Sequence, residues 1–315
     1  MIGIMGAGAF GSALAVTLAR EGRPVTLWAR EWRDLEGNVS RKLPGVELPS
    51  SVKLTADAAD LAGADTVLLA VPMQSLAGLL LAHRGRLDGR ALVACCKGVD
   101  LQTLRGPTAL IAEACPDSIP AVLTGPSFAT DIAHGLPTAL TLACGDEARG
   151  EALQHALSTT ALRLYRTTDV IGAELGGALK NVIAIAAGIA IGAGLGESAR
   201  AALMTRGYAE MLRLALALGA RPETLAGLAG LGDLVLTCTS AQSRNFRFGL
   251  SLGSGEGFDP SVTVEGAPTS RAASDLASRL DVDMPIAGMV AALIDGRLTL
   301  PQAVQGLLTR PLKQE

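Results

Sequence analysis

The chain has 315 residues, 49% of them hydrophobic but only 3% aromatic, and its 27 basic and 30 acidic side chains leave a formal net charge of −3. A length of this order suggests two domains, and the composition excludes a disordered chain. No basic tail or charge run is present, which argues against nucleic acid as a partner and leaves room for a small anionic ligand. The five cysteines, Cys95, Cys96, Cys115, Cys144 and Cys238, are odd in number and form no CxxC pair. Neither a disulfide framework nor a metal site is expected. Buried thiols in a reducing cytoplasm are the reading they support.

In chain order, "MIGIM" is a short apolar run closing at Gly6, without the basic flank of a signal peptide. Gly6, Gly8 and Gly11 of "GAGAFG" fit G-x-G-x-x-G. The following "AFGSALAVTLAREG" places Phe10, Leu14 and Leu18 on one helical face, with Gly22 as its stop. After Pro24, "VTLWAR" reads as a second strand. In such a strand–turn–helix unit the first glycine makes a tight turn and the second admits a pyrophosphate to the backbone. The third lets helix and strand pack closely, and the helix N-terminus offers free N–H groups to the phosphate. Dinucleotide binding is expected from this context. Arg30, at the end of the second strand, can pair with a 2′-phosphate and favours NADP, whereas the neighbouring Glu31 keeps NAD open.

Further apolar runs follow: "TVLLAV" to Pro72, "ALVACC" to Lys97, "AVLT" to Gly125-Pro126-Ser127, then "TALTLACG" and "LRLYR". Unbroken runs of this kind predict a parallel sheet covered on both faces. The loops at Gly6, Pro72, Lys97 and Gly125–Ser127 all follow strands and should collect on one edge, where such sheets bind ligands. From about residue 168 the strand signals stop and helices take over. The fold expected is a Rossmann-type dinucleotide-binding domain over residues 1–167 and an all-α substrate domain over 168–315.

The segment "GGALKNVIAIAAG" (176–188) places Lys180 and Asn181 in one of the most apolar stretches of the chain. The uncharged stretch 181–196 falls short of the ~20 residues of a membrane span, so a buried core helix is expected. Gly176 and Gly177 share the helical face of Lys180. They are expected to leave a hollow in front of the lysine, with Asn181 as a neutral donor and acceptor at its edge. A buried lysine titrates lower than a free one and can exchange a proton near neutral pH, as hydride transfer to or from an alcohol carbon requires. The alternative is a lysine whose head snorkels to solvent. The three histidines, His83, His134 and His155, stand in no distinctive motif.

These stretches, together with "KGVD", "TGPSFA", "ARAALMTRGYAEM", "GLAGLGDLVLTCTSAQSRNFRFG" and "VEG", occur in one order across residues 4 to 266. In that order they resemble the glycerol-3-phosphate dehydrogenases that use NAD or NADP. The resemblance implies reversible reduction of dihydroxyacetone phosphate to sn-glycerol 3-phosphate, feeding phospholipid synthesis in a cytoplasmic homodimer. It implies that Lys180 is the proton donor and acceptor and that Lys97 is a second cation at substrate and nicotinamide. Asp233 would hold a substrate hydroxyl or orient Lys180. Ser243, Arg244 and Asn245 would bind the phosphate, with Gly125 and Ser127 closing the site. Ala9, Phe10, Ala129, Arg244 and Glu265 match cofactor positions. The chain departs from the family at Ser198, where Asn is usual, and in the short Gly- and Ser-rich segment 250–263. Two rival readings stay open: a reductase of another small keto or hydroxy acid, and a nucleotide sensor without catalysis.

Overall fold

In the computed structural model, which describes residues 1–32 and 35–308, the first apolar run is strand β1 (Ile2–Met5), buried at all four residues. The helix after the glycine loop is α1 (Ala9–Arg20), and β2 (Val25–Trp28) follows. A small hairpin, β3 (Leu35–Glu36) and β4 (Val39–Ser40), leads to the edge strand β5 (Val52–Thr55). Next come β6 (Thr66–Leu69), α2 (Met73–Leu87), β7 (Ala91–Ala94), α3 (Pro107–Ala114), β8 (Ile119–Thr124) and the short α4 (Ala129–Ala133). The first half ends with β9 (Thr138–Cys144), α5 (Glu147–Leu157) and β10 (Leu162–Thr167).

Eight of these strands form one sheet in the order β10-β9-β8-β7-β6-β1-β2-β5. Strands β1, β2, β5, β6, β7 and β8 run parallel. The expected parallel sheet is found, with one departure at its end: β9 pairs antiparallel with β8, and β10 runs parallel to β9. An apolar run records burial on both faces, not direction, so the reversal leaves no trace in the pattern. The chain moves outward from β1 through β2 to β5, then returns to β6 on the other side of β1. The crevice between β1 and β6 is therefore the topological switch point, where open α/β sheets bind their ligands.

The second half is helical. The central helix α6 (Val170–Gly192) is buried at every residue from 175 to 190. Around it pack α7 (Gly196–Ala217), α8 (Pro222–Ala226), α9 (Asp233–Thr239), α10 (Arg244–Ser254), α11 (Gly266–Arg279) and α12 (Pro285–Ile294), with α13 (Leu300–Leu308) against α12. A single π-type turn, Leu228–Gly232, joins α8 to α9. Residues 309–315, the end of the expected second domain, lie outside the described residues. At 23 residues α6 is long and apolar enough to cross a bilayer, so length does not exclude a span as the sequence suggested. Instead, 89% of its apolar window is buried in protein.

Two carboxylates tie α6 to its surroundings. Asp169 caps its N-terminus through Gly172 N (2.9 Å) and accepts from Arg221 N (2.8 Å). Glu174 accepts from Thr108 N (2.8 Å) at the start of α3. Burial pushes the Glu174 carboxyl up, and the Thr108 contact pulls it partly back.

Candidate active site

The strand ends that form the site belong to the parallel part of the sheet. Gly6 follows β1, Lys97 lies three residues beyond β7, and Gly125 follows β8, so all three stand on one edge. Gly6 adopts φ +116°, and a Cβ there would lie 2.3 Å from the Ala70 carbonyl beyond β6. A Cβ at Gly11 would lie 2.0 Å from the Gly6 carbonyl, whereas one at Gly8 would meet nothing within 4 Å. Two glycines thus close the turn, and the third leaves open space at the N-cap of α1, where no side chain caps the helix. This is a cradle for an anionic group: free N–H donors, a favourable helix dipole and no side chain in the way. A dinucleotide phosphate fits it. Ala9 and Phe10 form the first turn of α1 and are half-buried; Arg30 is exposed two residues beyond β2.

The chemical centre is a carboxylate shared by two lysines. Asp233, wholly buried at the start of α9, accepts from Lys180 Nζ on Oδ1 at 2.8 Å and from Lys97 Nζ on Oδ2 at 2.5 Å. Lys97 Nζ also donates to the Gly125 carbonyl at 3.1 Å, and Ser127 Oγ donates to the same oxygen at 3.4 Å. Lys180 Nζ donates to Thr237 Oγ1 at 2.6 Å, and that hydroxyl donates to Asp233 Oδ1 at 3.2 Å. Burial pushes Lys180 down to about 8, with Asp233 pulling it back up and Lys97 depressing it further. Burial alone would raise Asp233, but Lys180 and Lys97 outweigh it and hold the carboxyl below its ordinary value. Such a cluster can hold and release a proton near neutral pH while keeping a compensating charge in place.

Beside it runs a relay of amides. Asn181 Oδ1 accepts from Asn245 Nδ2 (2.9 Å), and Asn245 Oδ1 accepts from Gly266 N (2.9 Å), joining α6, α10 and α11. Ser243 is the N-cap of α10 and accepts from Phe246 N (3.2 Å); the next residue, Arg244, is exposed. Glu265, at the N-cap of α11, is half-buried. Burial pushes its carboxyl up, while Arg244, Lys97, Lys180 and the Met73 N–H draw it down. Ala129 opens α4, and its neighbour Thr130 donates to Gln242 Oε1 at 3.0 Å, linking the two halves beside Ser243.

The structure therefore brings together Lys97, Gly125, Ser127, Lys180 and Asp233 through direct bonds. Glu265 feels the charges of Lys97 and Lys180, and that of Arg244. Asn181 and Asn245 bond to each other rather than to the lysines. The hollow expected in front of Gly176 and Gly177 is corrected: protein fills it. A Cβ at Gly176 would lie 2.5 Å from the Ala229 carbonyl, and one at Gly177 would lie 2.5 Å from Thr124 Oγ1. Thr237 was not singled out in the sequence, although its spacing of four from Asp233 places both on one helical face. Ser198, the departure from the family pattern, is exposed on α7.

Residues 1–150 match the family model described as the N-terminus of NAD-dependent glycerol-3-phosphate dehydrogenase, and residues 169–305 match that of its C-terminus. The chain is 74% identical over 315 residues to a glycerol-3-phosphate dehydrogenase (NAD(P)+) from Cereibacter sphaeroides, covering 100% of both chains. It is 64% identical over 316 residues to the enzyme of that name from Paracoccus denitrificans, covering 100% of this chain and 99% of the relative. Among solved structures, the glycerol-3-phosphate dehydrogenase of Coxiella burnetii superposes with a TM-score of 0.92 at 39% identity over 98% of each chain. A ketopantoate reductase from Ralstonia eutropha, at 17% identity and a TM-score of 0.62 over 93% of this chain and 97% of its own, shares the fold alone.

Proposed function

The chain belongs to the NAD(P)-dependent glycerol-3-phosphate dehydrogenase family, and from that premise we propose how its residues divide the work. The reaction is the reversible reduction of dihydroxyacetone phosphate to sn-glycerol 3-phosphate with NADH or NADPH. Residues 1–167 bind the nucleotide; the helical remainder supplies the proton and holds the substrate. The bound nicotinamide supplies or takes the hydride at the substrate's central carbon.

The chain's own groups handle charge and position. Gly6, Gly8 and Gly11, with the first turn of α1 at Ala9 and Phe10, hold the pyrophosphate. Arg30 favours the 2′-phosphate of NADP, by the bidentate match of a guanidinium to phosphate oxygens. Lys180 gives a proton to the carbonyl oxygen as it becomes a hydroxyl, and takes it back in the reverse direction. Lys97 stabilises negative charge developing on that oxygen. Asp233 holds both ammonium groups in register and supports the charged form of Lys180. Arg244, at the N-terminus of α10, binds the substrate phosphate with Ser243 and Asn245, while Gly125 and Ser127 close the opposite wall. Asn181 positions Asn245 for that task. Ala129 and Glu265 complete the cofactor side. The physiological setting that fits is a cytoplasmic homodimer supplying glycerophospholipid synthesis.

The observation that carries this reading is the buried Lys97–Asp233–Lys180 bridge on the same sheet edge as the open Gly8 turn. Initial rates of NADPH and NADH oxidation with dihydroxyacetone phosphate, beside unphosphorylated dihydroxyacetone, test it. Turnover with the phosphate ester and little with the free triose is expected. Equal rates on both would argue for a reductase of another small keto compound.

A further inference from the structure

The two glycines before Lys180 dock against different elements. Gly176 meets the backbone at Ala229 and Gly230, in the π-type turn that delivers Asp233. Gly177 meets the end of β8: a Cβ there would lie 2.5 Å from Thr124 Oγ1 and 3.6 Å from Lys97 Cγ. At Gly177, therefore, α6, the last residue of β8 and the stem of Lys97 converge. The Thr124 hydroxyl is buried, and no hydrogen-bond partner is found for it among the described residues. Toward Gly177, Thr124 presents the bulk of its side chain.

We propose that the Gly177–Thr124 contact is a positioning device that sets how deeply α6 seats against β8, and thereby the separation of Lys180 from Lys97 across Asp233. The inference rests on the roles proposed above for those three residues. Lys180 is carried by α6, and Asp233 follows it through the Gly176 contact. Lys97 is carried by the sheet. Any outward shift of α6 at Gly177 thus falls on the Lys97–Asp233 bond, while the Lys180–Asp233 bond travels with the helix. A carboxylate is rigid, so it cannot keep both short bonds, 2.5 and 2.8 Å, once the two carriers part.

The test compares Gly177→Ala, Thr124→Ala and the double variant, with Lys180→Ala alongside. Turnover with dihydroxyacetone phosphate, NADPH affinity and the pH profile of kcat are measured for each. Gly177→Ala is expected to lose about 10²-fold in kcat, the scale of an ångström-level misplacement of a catalytic group. NADPH affinity should stay at the wild-type level. The alkaline limb of the profile should move to higher pH, because a receding Lys97 depresses Lys180 less. Thr124→Ala removes the bulk against which α6 seats and should lower kcat by a smaller factor than Gly177→Ala; the double variant, in which the new methyl takes the place of that bulk, should recover most of the turnover lost in Gly177→Ala. Wild-type turnover in Gly177→Ala, or a double variant as slow as Gly177→Ala, would overturn the inference. If Gly177→Ala does not fold, the double variant decides alone: near-normal turnover supports the device, and turnover as low as that of Lys180→Ala contradicts it. A fully active Lys180→Ala would instead remove the reading on which the device rests.

Discussion

The two halves of the molecule build their parts of the site in different ways. On the sheet side, the nucleotide turn is made of backbone: Gly6 and Gly11 exist where a Cβ would strike a carbonyl, and Gly8 where space must stay open. Where the halves meet, the site is made of buried charge: one carboxylate from α9 is shared by two ammonium groups, Lys180 from the middle of α6 and Lys97 from the loop after β7. A backbone site tolerates changes in charge but not in shape. A charge site tolerates small changes in shape only while its counter-ions stay in register. Substitutions in the glycine turn should therefore act mainly on cofactor affinity, and those in the Lys97–Asp233–Lys180 cluster on turnover and its pH dependence.

The sharpest way to break that contrast is Lys180→Ala. General acid–base groups contribute about 10²–10⁴-fold, so kcat should fall by that order while NADPH affinity, measured by fluorescence titration, stays close to wild type. Loss of binding instead would erase the division between the halves. Gly11→Ala should do the converse. Its methyl collides with the Gly6 carbonyl, so NADPH affinity should fall steeply, while the rate at saturating cofactor recovers toward normal. Arg30→Glu sharpens the comparison within the sheet half: NADPH should weaken roughly tenfold, the scale of one charge-assisted contact, and NADH little. Equal weakening of both would show that Arg30 does not read the 2′-phosphate.

The smallest expected effect concerns stability rather than catalysis. Glu210, buried on α7, supplies the cap that α12 lacks, accepting from Ile286 N at 2.8 and 3.1 Å and from Ala287 N at 3.2 Å. Burial pushes its carboxyl up to about 7 from 4.5, although both N–H groups and Arg213 draw it down. The folded value is raised, so this group's contribution to stability is full below about 4.5 and is lost as pH rises through about 7. Glu210→Gln should flatten that slope in melting temperature across the same window; an unchanged slope would assign it to another group.

How much of this the sequence disclosed follows the same division. The glycine turn is local in sequence: its three glycines fall within six residues at the end of a strand and the start of a helix, although what Gly6 makes room for, the Ala70 carbonyl, lies beyond β6. Lys180 also announced itself, because a lysine in "GGALKNVIAIAAG" has few reasons to be there. Its partners did not announce themselves by physics alone. Asp233 is 53 residues from Lys180 and 136 from Lys97, and only family resemblance singled it out. The glycines before Lys180 were legible as an absence of side chains, but what fills the space, Ala229 from one side and Thr124 from the other, is a property of the packed fold. The reversal of β9 was hidden for a related reason, since burial on both faces looks the same in either direction. The edge strand β5, with Lys53 exposed in its middle, lacks the unbroken apolar run that marked the central strands.

The most direct measurement is the pH dependence of kcat for dihydroxyacetone phosphate reduction in the wild type and in Asp233→Asn. In the proposed role Lys180 must be protonated for reduction, so the wild-type rate should fall as pH rises through about 8. Asp233 is what pulls that value up against burial, so in Asp233→Asn the limb should move to lower pH. A wild-type rate that stays flat through the alkaline range, or a limb that does not move in the variant, would contradict a proton held by Lys180 under the control of Asp233.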